Sequence, residues 1–301
     1  MLKLKNLGQL FKITFNAWLD KDPFRQSAVI AYYAIFSIPG LLVLIIAIAG
    51  YFFGVDNVNK NLISQIADTI GSETALQIQD VLSKSTAEKS TTWGSVVGGV
   101  ILLVGSTGVF VELQKTLNLI WNVKLKPQNG IWLIIKSRLF SFGLILAIAF
   151  LLTISLVIST ALVAVSNYIS FESSQLMMTI YGFLNFIISL AVISALFAMI
   201  FKILPDAKIE WQHVWLGSIV TGLLFTIGKM ALAYYFGKAQ PASIYGAAGS
   251  IILILLWVSY SSMILFFGAE FTAAYAKMFS GTIAPTNIAK VEVATPTQKS
   301  M

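Results

Sequence analysis

The sequence predicts an all-α membrane protein: a polytopic bundle of about six transmembrane helices, with an amphipathic N-terminal helix and a short extracytoplasmic helical segment. Three observations lead there. Of the 301 residues, 57% are hydrophobic and only 11% are charged, whereas a soluble domain carries about 25% charged and about 45–50% apolar residues. A soluble fold of this size has nowhere to hide that apolar surface, while a bilayer is itself an apolar solvent. Next, six apolar stretches reach the roughly 20 residues needed to cross the hydrocarbon core. Last, lysine and arginine fall unevenly on the two sides those stretches define.

The chain begins with a basic, amphipathic segment over residues 1–27. Leu7, Leu10, Phe11, Phe15 and Trp18 recur at helical spacing with lysines on other faces, the pattern of a helix lying on the inner leaflet. No continuous apolar region ending in a small-residue cleavage site precedes Ala28, so the first span reads as an uncleaved anchor. Asp22-Pro23 is a start signal for it, with Asp as N-cap and Pro at the first helical position. The transmembrane domain is expected over 28–276, with spans at about 28–52, 93–111, 139–165, 177–203, 214–236 and 247–275. Pro39 and Gly40 fall near the middle of the first span and should kink it. The insert 54–92 is polar, with Val58, Leu62, Ile66 and Ile70 recurring every four residues. It reads as two short amphipathic helices outside the membrane, a possible cap over the bundle. Residues 277–301 are polar, contain Pro285 and Pro296, and are expected to be a disordered cytoplasmic tail.

Orientation follows from the cations. Lys3, Lys5, Lys12, Lys21 and Arg25 precede the first span, and Lys115, Lys124, Lys126, Lys136 and Arg138 follow the second. Lys202 and Lys208 follow the fourth, and Lys277, Lys290 and Lys299 the sixth. Only Lys60, Lys84, Lys89 and Lys238 lie on the other side. The positive-inside rule therefore places both termini in the cytoplasm, which an even number of spans requires. The net charge of +7 reads as topology and lipid-headgroup contact rather than nucleic-acid binding. The expected partners are membrane lipids, anionic ones among them, with no nucleic acid; the oligomeric state stays open.

Several chemistries are poorly supported. With no cysteine and one histidine, His213, a disulfide framework and a cysteine-ligated metal are impossible, and a histidine-rich two-metal nuclease lacks its ligands. No phosphate-binding GxxxxGK[ST] loop occurs. The chain is therefore expected not to be an enzyme and to carry no cofactor or metal. His213, between Trp211 and Trp215, reads as an interfacial residue.

The candidate functional residues are ionisable or polar groups in the spans. Glu112 and Glu270 end the second and sixth spans near the cytoplasmic interface, and Arg138 opens the third as a possible partner. Such groups are costly at membrane depth unless paired or hydrated. They form either an ion-pair cluster that holds helices together or part of a substrate or proton path. Lys229 lies well inside the fifth span and either snorkels outward or faces a polar cavity. Tyr32, Tyr33 and Ser37 could add polar lining. Gly98, Gly105 and Gly108 in the second span, with Gly94 and Gly99, allow close helix packing or a helix that bends or slides.

Taken together, several short runs resemble the YihY/BrkB family of bacterial inner-membrane proteins, formerly labelled ribonuclease BN. They are Ala31-Tyr32-Tyr33-Ala34 with Phe36-Ser37 and Pro39; Gly105-Ser106-Thr107-Gly108 with Leu113-Gln114, Leu117-Asn118 and Ile120-Trp121; Arg138; Leu204-Pro205-Asp206 with Trp211; and Ile244-Tyr245-Gly246 with Gly249, Trp257 and Gly268-Ala269-Glu270. The resemblance covers about residues 10–276. It implies a six-helix protein of the bacterial inner membrane and little chemistry. The leading functional expectation is a transporter or flippase-like protein for an amphiphilic envelope molecule. The alternatives are a non-transporting scaffold or envelope-assembly partner and, far behind, the tRNA-processing ribonuclease of the old family label.

Overall fold

The computed structural model describes residues 4–37, 108–126, 175–239, 249–280, 284–286 and 289–291, with scattered positions between 54 and 79. Helix dominates these residues, as the composition requires of a chain that must satisfy its backbone without water. Helix α1 covers Leu4–Leu19. Residues 23–37 form α2 and residues 108–120 form α3. Three long helices follow: α4 over Gln175–Ile203, α5 over Trp211–Ala239 and α6 over Gly249–Ser280.

Each long helix contains a stretch long and apolar enough to cross a membrane: Gly182–Ile203, Trp211–Phe236 and Ile251–Phe279. They match the fourth, fifth and sixth expected spans within a few residues. At 1.5 Å per residue the shortest reaches about 33 Å, against a hydrocarbon core of about 30 Å. The two longer ones, of 26 and 29 residues, would cross with tilt. Their outward faces carry Phe183, Ile227, Met230 and Tyr234, each exposed by more than 60% of its surface. Water would not tolerate such a row of exposed apolar side chains; lipid does. Most of the second span and all of the third lie outside the described residues, as do most of the first and the expected kink at Pro39.

Helix ends are set by local chemistry. The Asp22 carbonyl accepts the first bond of α2, from Gln26 N at 3.1 Å, and Pro23 occupies the first helical position. Asp22 sits at φ 50° and Asn122, just past α3, at φ 52°. Aspartate and asparagine tolerate this left-handed backbone better than bulkier residues. The chain therefore turns sharply after α1 and again after α3.

The chain divides into two compact units. The first holds Met1–Lys21, Gln114–Leu224 and Leu265–Met301; the second holds Asp22–Leu113 and Phe225–Ile264. In the first unit, α5 and α6 run antiparallel in unusually close contact. A Cβ added to Gly217 would overlap Thr272, and one added to Gly268 would overlap Thr221. Each threonine is fully buried. Each also returns its hydroxyl to the glycine one turn back on its own helix, Thr221 to Gly217 O at 2.6 Å and Thr272 to Gly268 O at 2.7 Å. Two Gly-x-x-x-Thr faces thus interlock, each glycine receiving the other helix's threonine. Small residues at this spacing let backbones approach where no hydrophobic effect drives helices together. Gly222 of α5 packs in the same unit against Ser194 of α4. In the second unit, Gly228 receives the Tyr260 hydroxyl, and Gly108 lies under the Tyr33 ring.

Short strands tie the C-terminal residues to the first unit. Strand β1, Val123–Leu125, follows α3 and β2, Ala207–Lys208, follows α4. They pair antiparallel with β4, Ala289–Val291, and β3, Ala284–Pro285, respectively. Within the segment expected to be a disordered tail, then, residues 277–280 continue α6 and residues 284–285 and 289–291 are strand. The short strands that follow α3 and α4 supply their hydrogen-bonding partners. Residues 292–301 lie outside the described residues.

Candidate functional site

Two polar clusters occupy the first unit, and both are built on residues of the sequence runs that carry the family resemblance. The first centres on Glu270 of α6. It is 3% exposed and lies inside the apolar stretch Ile251–Phe279. Its Oε1 accepts from Lys21 Nζ at 2.5 Å. Lys21 is placed by the turn that ends α1, and its Nζ also donates to Ile120 O, at the end of α3, at 3.3 Å. One ammonium group therefore joins α1, α3 and α6. A carboxylate removed from water needs a charge partner and further hydrogen bonds to repay its desolvation. Lys277, seven residues further along α6, adds a second positive charge that acts on Glu270.

The second cluster centres on Asp206, in the loop between α4 and α5. Gln114 and Asn118, four residues apart and so on one face of α3, both donate to Asp206 Oδ2, at 3.1 and 2.8 Å. Asn118 Oδ1 accepts the Asp206 backbone N–H at 2.8 Å. The Asp206 carbonyl accepts from Thr286 N at 3.0 Å, tying in the C-terminal strands. Burial pushes the Asp206 carboxyl above its ordinary value, while the Asn118 and Gln114 amides pull the other way and recover only part of the shift.

That balance fixes a sign. A folded-state value above the unfolded one means the folded chain binds the proton more tightly. The associated stability is present at low pH and is lost as pH rises through the raised value. Asp206→Asn cannot titrate and keeps an oxygen acceptor. Wild type should therefore gain stability relative to Asp206→Asn as the pH is lowered from neutral toward about 4. Asp206→Ala takes the acceptor from the buried Asn118 amide and from half-buried Gln114 and should cost about 2 kcal/mol. Thermal unfolding of the three proteins across that pH range checks both expectations.

Beside these clusters, α5 opens with an exposed aromatic pair, Trp211 and Trp215, ring centroids 6.5 Å apart. Lys202 Nζ lies 5.5 Å from the Trp211 ring centre and donates to Ile209 O. His213 is buried, edge-on to Tyr275 at 5.4 Å and 3.6 Å from Glu210 Oε2. These two neighbours are thus one aromatic and one anionic side chain. No group of three or more His, Asp or Glu able to hold a metal occurs among the described residues.

The residues singled out from sequence are dispersed. Among the described candidate residues, Glu270 alone lies in the first unit. Glu112 and Lys229, both half-buried, belong to the second unit with Tyr32, Tyr33 and Gly108. Tyr32 is exposed and packs edge-on to Tyr33 and Phe36, at 5.6 and 5.2 Å. Arg138, Pro39, Gly98 and Gly105 lie outside the described residues. Lys21, Asn118, Gln114 and Asp206 were not among the candidate site residues, although the last three stand in the runs that carry the family resemblance. Lys21 looked like one more cation of a basic segment, and Asn118 and Asp206 are 88 residues apart. The available signal was a polar residue at helical spacing on an otherwise apolar face, as at Gln114 and Asn118.

A family model, described as virulence factor BrkB, matches residues 14–290. The chain belongs to the BrkB family. Among curated relatives it is similar to a UPF0761 membrane protein of Saccharophagus degradans, 24% identical over 90% of this chain and 60% of that protein. It is also similar to the UPF0761 membrane protein VV0203 of Vibrio vulnificus, 27% identical over 81% of this chain and 75% of the relative. A UPF0761 membrane protein of Vibrio cholerae is 28% identical over 60% of this chain and 58% of its own length. The chain thus spans about 60% of the length of the first of these relatives. No solved structure matches it. With this family and its apolar helices, the BrkB-family chain is a helical membrane protein, and its Asp206 and Glu270 clusters lie within the matched region.

Proposed function

We propose that this BrkB-family protein sits in the bacterial inner membrane with both termini in the cytoplasm and moves an amphiphilic, anionic envelope molecule, in the manner of a transporter or flippase. The observation that carries this reading is Glu270: a buried carboxylate inside an apolar span, answered by Lys21 of the turn that follows α1, outside the span. An ionisable group at that depth is expensive and is by default a functional candidate. Its partner Lys21 is itself a site that an anionic headgroup could compete for. Lys229, half-buried in another apolar span, supplies a further cation for such a headgroup. The lysine and arginine bias supports the orientation.

The test is reconstitution of the full chain into phosphatidylcholine vesicles carrying a fluorescent phosphatidylglycerol. Wild type should speed exchange of the probe between leaflets over protein-free vesicles. Lys229→Ala or Arg138→Ala should slow it about tenfold, the factor given by losing about 1.4 kcal/mol of anion stabilisation. No exchange above protein-free vesicles, with Lys229→Ala and Arg138→Ala cells behaving as wild type, would sink the proposal.

The interlocked α5–α6 crossing favours a second reading, a non-transporting scaffold, because it is a filled contact rather than a cavity wall. Deleting residues 58–89 while retaining the spans separates the two. A scaffold that works through its outer insert loses its cellular role with the deletion, whereas a transporter keeps probe exchange.

A further inference from the structure

Helix α1 carries three faces of different character. Leu10 and Thr14 are fully buried on one face, and Lys21, the partner of Glu270, stands in the turn that follows the helix. Lys12, Asn16 and Gln9 form an exposed polar face on the opposite side. Between the two runs an apolar stripe, Phe11, Phe15 and Leu19, at four-residue spacing and 42–50% exposed. An amphipathic helix packed on a soluble core would need only the first two faces.

The stripe's position says what covers it. Phe11 packs on Phe267 at 6.4 Å and on Phe271 at 5.4 Å, and Trp18 lies edge-on to Phe267 at 5.9 Å. Phe267 and Phe271 belong to the stretch Ile251–Phe279 of α6. They lie two and six residues past its midpoint, and so about 3 and 9 Å along the axis. Phe271 is buried and Phe267 partly exposed, so α1 packs on a membrane-spanning helix while Phe15 and Leu19 stay uncovered by protein.

We infer that α1 is a lipid-embedded helix: acyl chains of one leaflet cover Phe11, Phe15 and Leu19, while Lys12 and Asn16 reach the headgroups of anionic phospholipid. The helix is not merely laid on the membrane surface. It is wedged between α6 and lipid, and the Lys21–Glu270 pair locks its C-terminal end to the span. Helix α1 contains lysines and no acidic residue, which suits it to an anionic leaflet. This inference stands apart from transport, since a scaffold would need the same seat.

The chain has no cysteine, so single-cysteine variants can be labelled with a nitroxide without background. Phe15→Cys, Leu19→Cys, Lys12→Cys and Asn16→Cys of the full chain are placed in vesicles of phosphatidylcholine and phosphatidylglycerol. Labels at 15 and 19 should collide with dissolved oxygen several-fold more than with a water-soluble nickel chelate. Labels at 12 and 16 should show the reverse. If 15 and 19 are as open to the nickel chelate as 12 and 16, the stripe faces water and the inference fails. If they are shielded from both reagents, protein such as a second copy of the chain covers it, and the inference also fails. A photoactivatable phosphatidylglycerol with the unsubstituted protein avoids any folding defect of the labelled variants. Adducts should map to residues 11, 15 and 19, and their absence there would overturn the assignment.

Discussion

Lys21→Ala is expected to destabilise the folded chain by about 4 kcal/mol, and Glu270→Ala by somewhat less, about 3 kcal/mol. The asymmetry follows from the burial of the two partners. The Glu270 side chain is 5% exposed and that of Lys21 is 22% exposed. Removing the lysine strands a carboxylate in an apolar span with no solvent to turn to. Removing the carboxylate leaves an ammonium on a flexible four-carbon stem, which keeps its bond to the Ile120 carbonyl and can reach toward water. The double variant Lys21→Ala/Glu270→Ala removes both charges and should recover much of the loss, because replacing a whole buried pair is far cheaper than breaking one. Unfolding of the four proteins in mixed micelles by a denaturing detergent gives the double-mutant cycle directly. Equal, small losses for both single variants would mean that water reaches the pair.

The second large effect is expected at the helix crossing. Gly217→Ala and Gly268→Ala each place a methyl group on the opposing threonine. Neither threonine can turn aside cheaply, since both are fully buried and each is bonded back to its own helix. The helices must separate, with loss of the small-residue packing that holds them, at a cost of about 2–3 kcal/mol each. The combination Gly217→Ala/Thr272→Gly restores the space and should regain part of that loss. Gly8→Ala, where a Cβ would meet nothing within 4 Å, should be neutral or slightly stabilising, since alanine is the better helix former. Thermal unfolding of this series separates a crossing defect from a general intolerance of change at glycine.

How much of this was legible in one dimension depends on the range of the physics involved. Three spans were found within a few residues because a run of apolar side chains bears on crossing a bilayer whatever its neighbours do. Asp22-Pro23 was legible as a helix start because capping acts over four residues, and Asn122 as a stop could have been found in the same way. The amphipathic pattern of α1 was also visible, but its periodicity alone shows one apolar face and one polar face. Dividing the apolar residues into a packed row and an exposed row requires knowing that Leu10 and Thr14 are buried and that Phe11 meets Phe267 and Phe271.

The partner of Glu270 illustrates the limit. Its cost at membrane depth could be read from its position in an apolar run, and that cost demanded a cation. Which cation could not be read, because Coulomb attraction has no sequence signature and Lys21 lies 249 residues away. Arg138 met the same qualitative requirement. The knot of Gln114, Asn118 and Asp206 was hidden for a similar reason: each residue alone is an ordinary polar group near a helix end. Likewise Pro285 marked the C-terminal residues as irregular, which is a local property. The pairing of β3 with β2 is a contact between distant backbones and depends on where α4 ends.

By itself, then, the sequence determined that this protein is helical, lives in a membrane and has spans where apolar residues accumulate, because transfer into lipid is summed residue by residue along the chain. Only the tertiary structure decided that Lys21 answers Glu270, that Gly217 and Gly268 exchange threonines, and that Asp206 gathers two amides of α3. Those outcomes depend on which side chains the fold brings within a few ångströms, and hydrogen bonds, ion pairs and steric fit act only at that distance.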